Sequence, residues 1–286
     1  MARDALEDWK VGRKLKLAAL DPAARPFASS SRERDDARLD ELAVEIDRLQ
    51  DLLYANGMSA TGAAAGPAPK LLLVLQGMDT SGKDGTARAV FSRCSPLGVR
   101  VAAFKAPTEV ERGHDFLWRV HAVAPRAGEV VVFNRSHYED VLVPFVEGWI
   151  DASERDRRLA HIVAFERLLH DAGTRLIKCY LHISKDEQKG RFLERIDEPE
   201  KNWKFSANDV AERRHWDAYM DAYEQAIRAT AQPHSPWYVV PADNKWFTRL
   251  IVVAAMNRAL DRLKLHYPVV TEAQRAALAE ARAALA

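Results

Sequence analysis

The chain has 286 residues, of which 48% are apolar and 29% charged, enough for a sizeable core in one large domain or two small ones. Its 42 Lys and Arg stand against 41 Asp and Glu, a net charge of +1, which argues against a nucleic-acid-coating protein or an acidic tail while leaving room for a local basic channel. Cys94 and Cys179 lie far apart and outside any CxxC or Cys/His cluster, and no apolar run reaches about 18 residues. Buried, reduced thiols, a cytosolic location and no membrane span are the expectations.

Residues 1–35 are polar and interrupted by Pro22, Pro26 and a serine run at 29–31, which reads as an extended arm. Charges throughout its first 17 residues exclude the apolar stretch of a signal peptide. Leu39, Leu42, Ile46, Leu49 and Leu53 then recur at spacings of three and four, predicting an amphipathic helix over about 36–55. Its apolar stripe packs on the main domain or, alternatively, forms a subunit contact. Residues 59–69 are rich in Gly, Pro and small side chains and read as a linker.

Five short apolar runs follow, at 70–76, 99–104, 130–134, 175–183 and 237–240. They are continuous rather than alternating, the pattern of a parallel sheet covered on both faces. Helical stretches at about 83–94, 112–123, 153–172, 185–196, 207–230 and 244–264 lie between and around them. Alternating strands and helices predict an α/β three-layer sandwich with a central parallel five-stranded sheet. The Ala/Glu/Arg-rich tail from Thr271 reads as a terminal helix. The expected organisation is an arm and helix at 1–69, a main domain at 70–267 and a C-terminal helix at 268–286.

The first strand run ends in GMDTSGKDGT, residues 77–86. Gly77, Gly82 and Lys83 fit G-x-x-x-x-G-K, with a buried strand before and a helix after. Glycines let backbone N–H groups converge on phosphate oxygens, and the helix that follows adds its free N–H groups and positive dipole end. Gly77, Thr80, Ser81, Gly82, Lys83, Asp84, Gly85 and Thr86 are therefore the candidate phosphate-binding set, with Lys83 the mobile positive charge. The chemistry implied is phosphoryl transfer by a kinase of the P-loop type. Asp84 stands where Ser or Thr is usual, and Asp79 lies within the loop. A carboxylate among phosphates calls for a cation between them, so Asp79 is a candidate Mg2+ ligand; Asp84 caps the helix or shares that role.

The strand run at 130–134 continues as RSHYED. Strand C-terminal ends are where open α/β sheets place their sites, so Arg135 is well placed to hold a phosphoryl group. Glu139 and Asp140 contact a metal or acceptor, or simply begin a helix. His137 and His161 read as structural. Residues 184–206 hold Lys185, Lys189, Arg191, Arg195, Lys201 and Lys204, broken by Pro199. This stretch reads as a helical lid that closes cations over the phosphates and excludes water. Trp203 and Phe205 stack on an acceptor base or join the core, and core is favoured.

Together GMDTSGKDGT, HDFLWRVH at 114–121, FNRSHYEDVLV, EQKGRFLERIDEPEKNWKFS and PWYVVPADNKWFTRL at 236–250 resemble the family-2 polyphosphate kinases over about residues 36–267. The FNRSHYED form is similar to the class III branch. The resemblance implies a P-loop kinase-like fold with an N-terminal helical extension. It implies inorganic polyphosphate as donor, AMP, ADP and guanine nucleotides as acceptors, Mg2+ or Mn2+ as cofactor, and a homodimer or homotetramer. By the same resemblance Asp79 holds metal, Lys83 binds the transferred phosphate and Arg135 clamps phosphates. Arg191 and Arg195 act from the lid, Lys201 and Lys204 line a basic channel, and Glu139 sits near a second metal or the acceptor phosphate. Asn134 departs from the acidic residue some relatives carry. The runner-up is an ATP-dependent nucleotide or nucleoside kinase of the P-loop type. A third reading, a non-enzymatic nucleotide switch or polyphosphate-binding module, is opposed by Lys83 and the cationic lid.

Overall fold

The structure is a computed structural model that describes residues 9–29, 31–59 and 67–286; most of the expected linker at 59–69 lies outside the described residues. The arm holds β1 (Lys10–Val11) and a 3-10 turn (Leu17–Ala19), and α1 spans Arg32–Ser59. β2 (Lys70–Gln76) leads through a loop into α2 (Lys83–Val90), and β3 (Val99–Ala103) precedes the single-turn helices α3 (Glu109–Arg112) and α4 (Trp118–His121). β4 (Val130–Asn134) runs into α5 (Glu139–Val146), then α6 (Ala152–Asp171), β5 (Thr174–His182) and α7 (Lys185–Asp197). After a 3-10 segment (Pro199–Lys204) come α8 (Ala207–Glu212), α9 (Trp216–Thr230), β6 (Trp237–Pro241), α10 (Lys245–Asp261) and α11 (Glu272–Leu285).

The strands form one sheet in the order β1-β6-β5-β2-β4-β3. β2 pairs in parallel with β5 and β4, and β3 and β6 extend the sheet in parallel on either side. Leu71 to Leu75 are wholly buried, as a central strand covered on both faces requires. Helices α1, α2 and α10 pack together over one face, and α5, α6 and α9 over the other. The apolar stripe of α1 is used on the main domain: Ile46, Leu49 and Leu53 are buried there. No described helix is long and apolar enough to cross a membrane. Both cysteines are free; Cys179 is buried and Cys94 half-buried.

The sheet has six strands, one more than expected. The sixth is β1, antiparallel to β6 through Lys10↔Tyr238 and Val11↔Trp237. Two residues are too short a run to show a period in the sequence. Side-chain and backbone contacts made far along the chain hold them instead. Leu15 and Leu17 are buried, Leu17 N donates to Glu224, and Arg228 Nε donates to Leu15 O. The arm is therefore packed against the body rather than extended away from it. The expected helix at 207–230 is broken at Arg213–His215, where a 3-10 turn lets Arg213 donate to Lys185 O (2.6 Å) and Gln188 Oε1 (2.8 Å). The expected helix at 112–123 is reduced to the single turn α4, preceded by α3, whose start is closed by a Thr108/Glu111 capping box.

A charged pair lies inside the core. Lys178 of β5 and Glu166 of α6 are both fully buried, with Nζ and Oε2 2.5 Å apart. Burial pushes the Glu166 carboxyl up, but Lys178 and His137 outweigh it and lower its pKa to about 2. A depressed carboxyl stabilises the fold above its unfolded pKa, about 4.3, and that stabilisation is lost as pH falls toward about 2. Glu166→Gln leaves Lys178 without its counter-charge and is expected to cost roughly 3–5 kcal/mol at neutral pH. Chemical denaturation measures that loss, and melts taken between about pH 5 and pH 2 should show a flatter acid slope in the variant.

Candidate active site

The loop between β2 and α2 needs glycine at two points. Gly77 has φ 152°, and a Cβ there would lie 2.7 Å from Leu181 O and 2.8 Å from Ser81 Oγ. Gly82, the residue before α2, has φ 103°, a region that side chains rarely enter. Three described residues take positive φ without being glycine: Lys264 at 50°, far along the chain, and Thr80 at 63° and Arg135 at 60°. Thr80 and Arg135 belong to the predicted site, and such backbones cost of order 1–3 kcal/mol and persist only where neighbours over-determine them. Here Thr80 O accepts from Arg191 (2.8 Å), while Arg135 N extends the ladder to Leu75 O (3.1 Å).

Lys83 curls back over the loop, donating to Gly77 O (2.6 Å) and Met78 O (3.1 Å). Burial lowers its pKa against the pull of Asp79. The β2–β4 register sets Leu75 beside Asn134, so the loop and the RSHYED segment leave the sheet side by side. Arg135 consequently meets Asp79 at 2.6 Å and Glu139 at 3.8 Å. Burial works against the Arg135 charge, but Glu139 and Asp79 outweigh it and hold the guanidinium above its ordinary pKa. Burial raises the Glu139 carboxyl, opposed by Arg135 and Lys83. Asp84 is not a helix cap: it accepts from Asn134 Nδ2 at 2.7 Å, and Gly82 holds the cap position. Asp140 is committed to Arg119 at 2.8 Å.

The lid root is α7, capped by Ser184. Arg191 is 5% exposed and fully engaged. It donates to Thr80 O (2.8 Å), Ala242 O (2.6 Å), Asp243 O (3.0 Å) and Glu187 Oε1 (2.7 Å). These bonds brace the phosphate loop against α7 and the turn after β6. Arg195 donates to Lys204 O at 3.1 Å and faces Asp209 at 3.4 Å. Lys201 pairs with Glu194 and with Glu198. Trp203 is 78% exposed and Phe205 39%, so the expectation that they are core is overturned: the 3-10 segment and the residue that caps it leave both rings open to solvent. His137 is buried against Glu166, as expected of a structural histidine, and His161 is exposed on α6.

A cavity of about 590 Å³ brings together Asp79, Arg135, Arg191, Arg195, Lys201 and Lys204 with the loop from Thr80 to Thr86. Glu139 and Gly77 are not among its lining residues. Nine Lys and Arg line it against four Asp and Glu. Three of the cations, Lys105, Lys245 and Arg249, were missed in the sequence. Lys105 lies just past the C-terminal end of β3, where the strand-end rule would have found it. Lys245 and Arg249 are one turn apart at the start of α10, so they share a helix face. Asp209, on α8, had no local signal.

No three His, Cys, Asp or Glu side chains converge as a metal cage among the described residues. The donors at the loop are hard oxygens: the Asp79 carboxylate and the buried hydroxyls of Thr80 and Ser81, which have no hydrogen-bond partner there. That set fits a cation such as Mg2+, which keeps water and substrate phosphates as most of its ligands.

A family model described as polyphosphate kinase 2 matches residues 29–267. Over 235 residues the chain is 49% identical to an AMP/ADP-polyphosphate phosphotransferase of Meiothermus ruber, a match covering 81% of this chain and 84% of that one. It is 42% identical over 286 residues to an ADP-polyphosphate phosphotransferase of Rhodopseudomonas palustris, covering 95% and 94%. The fold matches the crystal structure of polyphosphate kinase 2 from Arthrobacter aurescens TC1 with a TM-score of 0.88 at 44% identity, over 96% of each chain.

If Arg191 is a brace, its removal strands buried carbonyls. Arg191→Ala is expected to destabilise the fold by about 3 kcal/mol, since hydrogen bonds to a charged donor contribute about 1.5–3 kcal/mol each. Lys201→Ala, on an exposed pair, is expected to leave stability unchanged. Urea denaturation of the two variants side by side measures the contrast.

Proposed function

The chain belongs to the polyphosphate kinase 2 family, and we propose that it transfers the terminal phosphate of inorganic polyphosphate to AMP or ADP, reversibly, giving ADP or ATP. The observation that carries this reading is the cavity at the phosphate loop, where nine cationic side chains outnumber four carboxylates. Such a wall suits a donor that is itself a chain of anions, and phosphoryl transfer asks mainly for positioning and charge neutralisation.

In this reading an oxygen of the acceptor's terminal phosphate attacks the end phosphorus of the chain. One P–O bond forms and the bond to the penultimate phosphate breaks. The donor leaves one phosphate shorter, and no enzyme-bound intermediate is needed. Lys83 and the N–H groups at the start of α2 hold the transferred phosphate. Arg135 neutralises charge between donor and acceptor and is itself held by Asp79. Arg195, Lys201 and Lys204 bind the chain from the lid side, and Lys105, Lys245 and Arg249 continue that wall. Asp79 would hold Mg2+ or Mn2+, with Glu139 behind it; the cation supplies further neutralisation of phosphate charge. Trp203, exposed on the lid, offers the acceptor base a stacking face. Stacking discriminates little between bases, so guanine nucleotides serve as acceptors too.

Incubated with ADP, Mg2+ and polyphosphate, the protein is expected to form ATP, followed by luminescence. Absence of ATP together with ATP consumption on a nucleoside would overturn the reading in favour of an ATP-dependent kinase. Lys83→Ala is expected to lower kcat by about 10²–10³, the usual loss for one donor to developing phosphate charge.

A further inference from the structure

Four residues of RSHYED alternate between two environments. Arg135 and Glu139 turn toward the phosphate loop, where Arg135 pairs with Asp79. His137 and Tyr138, between them, are 0% and 1% exposed and turn into the core. There they meet the buried charged pair. Tyr138 Oη donates to Glu166 Oε1 at 2.8 Å, and His137 Nε2 lies 3.3 Å from the same oxygen. The other Glu166 oxygen accepts from Lys178 Nζ (2.5 Å) and Ser235 Oγ (2.8 Å). Lys178 also donates to Thr230 O at 2.9 Å and to Tyr138 Oη at 3.1 Å. Thr230 in turn accepts from Trp237 Nε1 at 2.9 Å. The network thus ties α6, α9, β5 and β6 to the two residues at the centre of RSHYED.

Stability alone is a poor reason for such a pair. Burying two charges carries a desolvation cost that their attraction barely offsets, and apolar side chains of equal volume are often as stable or more so. A hydrogen-bonded network such as this one, in which His137 Nδ1 lacks a partner, does something an apolar core does not: it fixes geometry by direction as well as by volume. The neighbouring backbone needs such fixing, because Arg135 sits at φ 60°, a conformation that persists only where surroundings over-determine it. Its own ladder bond to Leu75 O holds one side. The buried network holds the other.

We propose that Glu166 and Lys178 are positioning residues for phosphoryl transfer, acting through His137 and Tyr138 to set Arg135 and Glu139 against the phosphate loop. The proposal rests on the polyphosphate-dependent transfer described above. Misplacing a charge that neutralises the transition state lowers kcat, whereas ground-state binding of the chain along the other cations is untouched.

The test is a comparison of the full-length protein with two variants. Glu166→Leu combined with Lys178→Met removes both charges at nearly constant volume. Tyr138→Phe removes one hydroxyl and keeps the ring against Trp237, whose centroid lies 5.0 Å away. For the double variant the expected result is a melting temperature at or above that of the parent, a kcat lower by about tenfold to a hundredfold, and KM values for ADP and polyphosphate within about twofold. Tyr138→Phe is expected to show the same split with a smaller loss of kcat. A folded double variant with parental kcat would overturn the proposal. If the double variant does not fold, parental kcat in a folded Tyr138→Phe overturns it. Parental ATP formation from polyphosphate separates this outcome from failure of the functional reading, since without it no variant comparison arises.

Discussion

The parallel pairing of β2 with β4 is the constraint on which the rest of the site depends. Because Leu75 lies opposite Asn134, the chain leaves the sheet at the same level on two adjacent strands. One exit becomes the phosphate loop and the other becomes RSHYED. That register brings the two segments together, and Asp79 and Arg135 meet at 2.6 Å, although 56 residues separate them. A slip of one residue would turn every side chain of a strand to the opposite face and part the two. Close packing on both faces opposes the slip, since each side chain is fitted to its own neighbours.

The second problem the fold solves is charge. A cavity crowded with cations is stable only if their repulsion is relieved before substrate arrives. Four carboxylates are interleaved among the nine cations, and several pairs are close: Asp79 with Arg135, Glu194 with Lys201, Asp209 with Arg195. These pairs are only half-buried, and ion pairs open to solvent are weak. The buried ones are different. Arg191 is spent entirely on carbonyl oxygens and Glu187, which fixes the loop to the lid root and to the turn after β6. The site therefore combines a rigid floor with a wall of weak ion pairs.

Much of this was legible in the sequence because it is written in local patterns. KLLLVLQ followed by GMDTSGKDGT announces a buried strand, a tight turn and a helix start within 17 residues, and φ 103° at Gly82 accounts for the glycine there. VVVFN and its continuation RSHYED placed Arg135 correctly at a strand end. The lid root was found from its charge density. Other features were illegible for stated reasons. β1 is two residues long and has no period. Asp209 and Arg249 join the cavity only through folding, with no motif around them. Trp203 and Phe205 look like core by composition, yet whether an aromatic is buried depends on what lies above it. Arg191 lines the cavity, but its bonds to the carbonyls of Ala242 and Asp243, about fifty residues away, had no sequence signal.

By itself the sequence determined the class of fold, the position of the phosphate loop and the kind of chemistry, because apolar periodicity, glycine placement and a lysine at a helix start act over a few neighbouring residues. The tertiary structure alone decided which cations line the cavity, that Asp84 is held by Asn134, and that Lys178 and Glu166 meet inside the core. Those outcomes turn on distances between segments far apart in the chain, and such distances are set by strand register and helix packing rather than by any residue's neighbours in sequence.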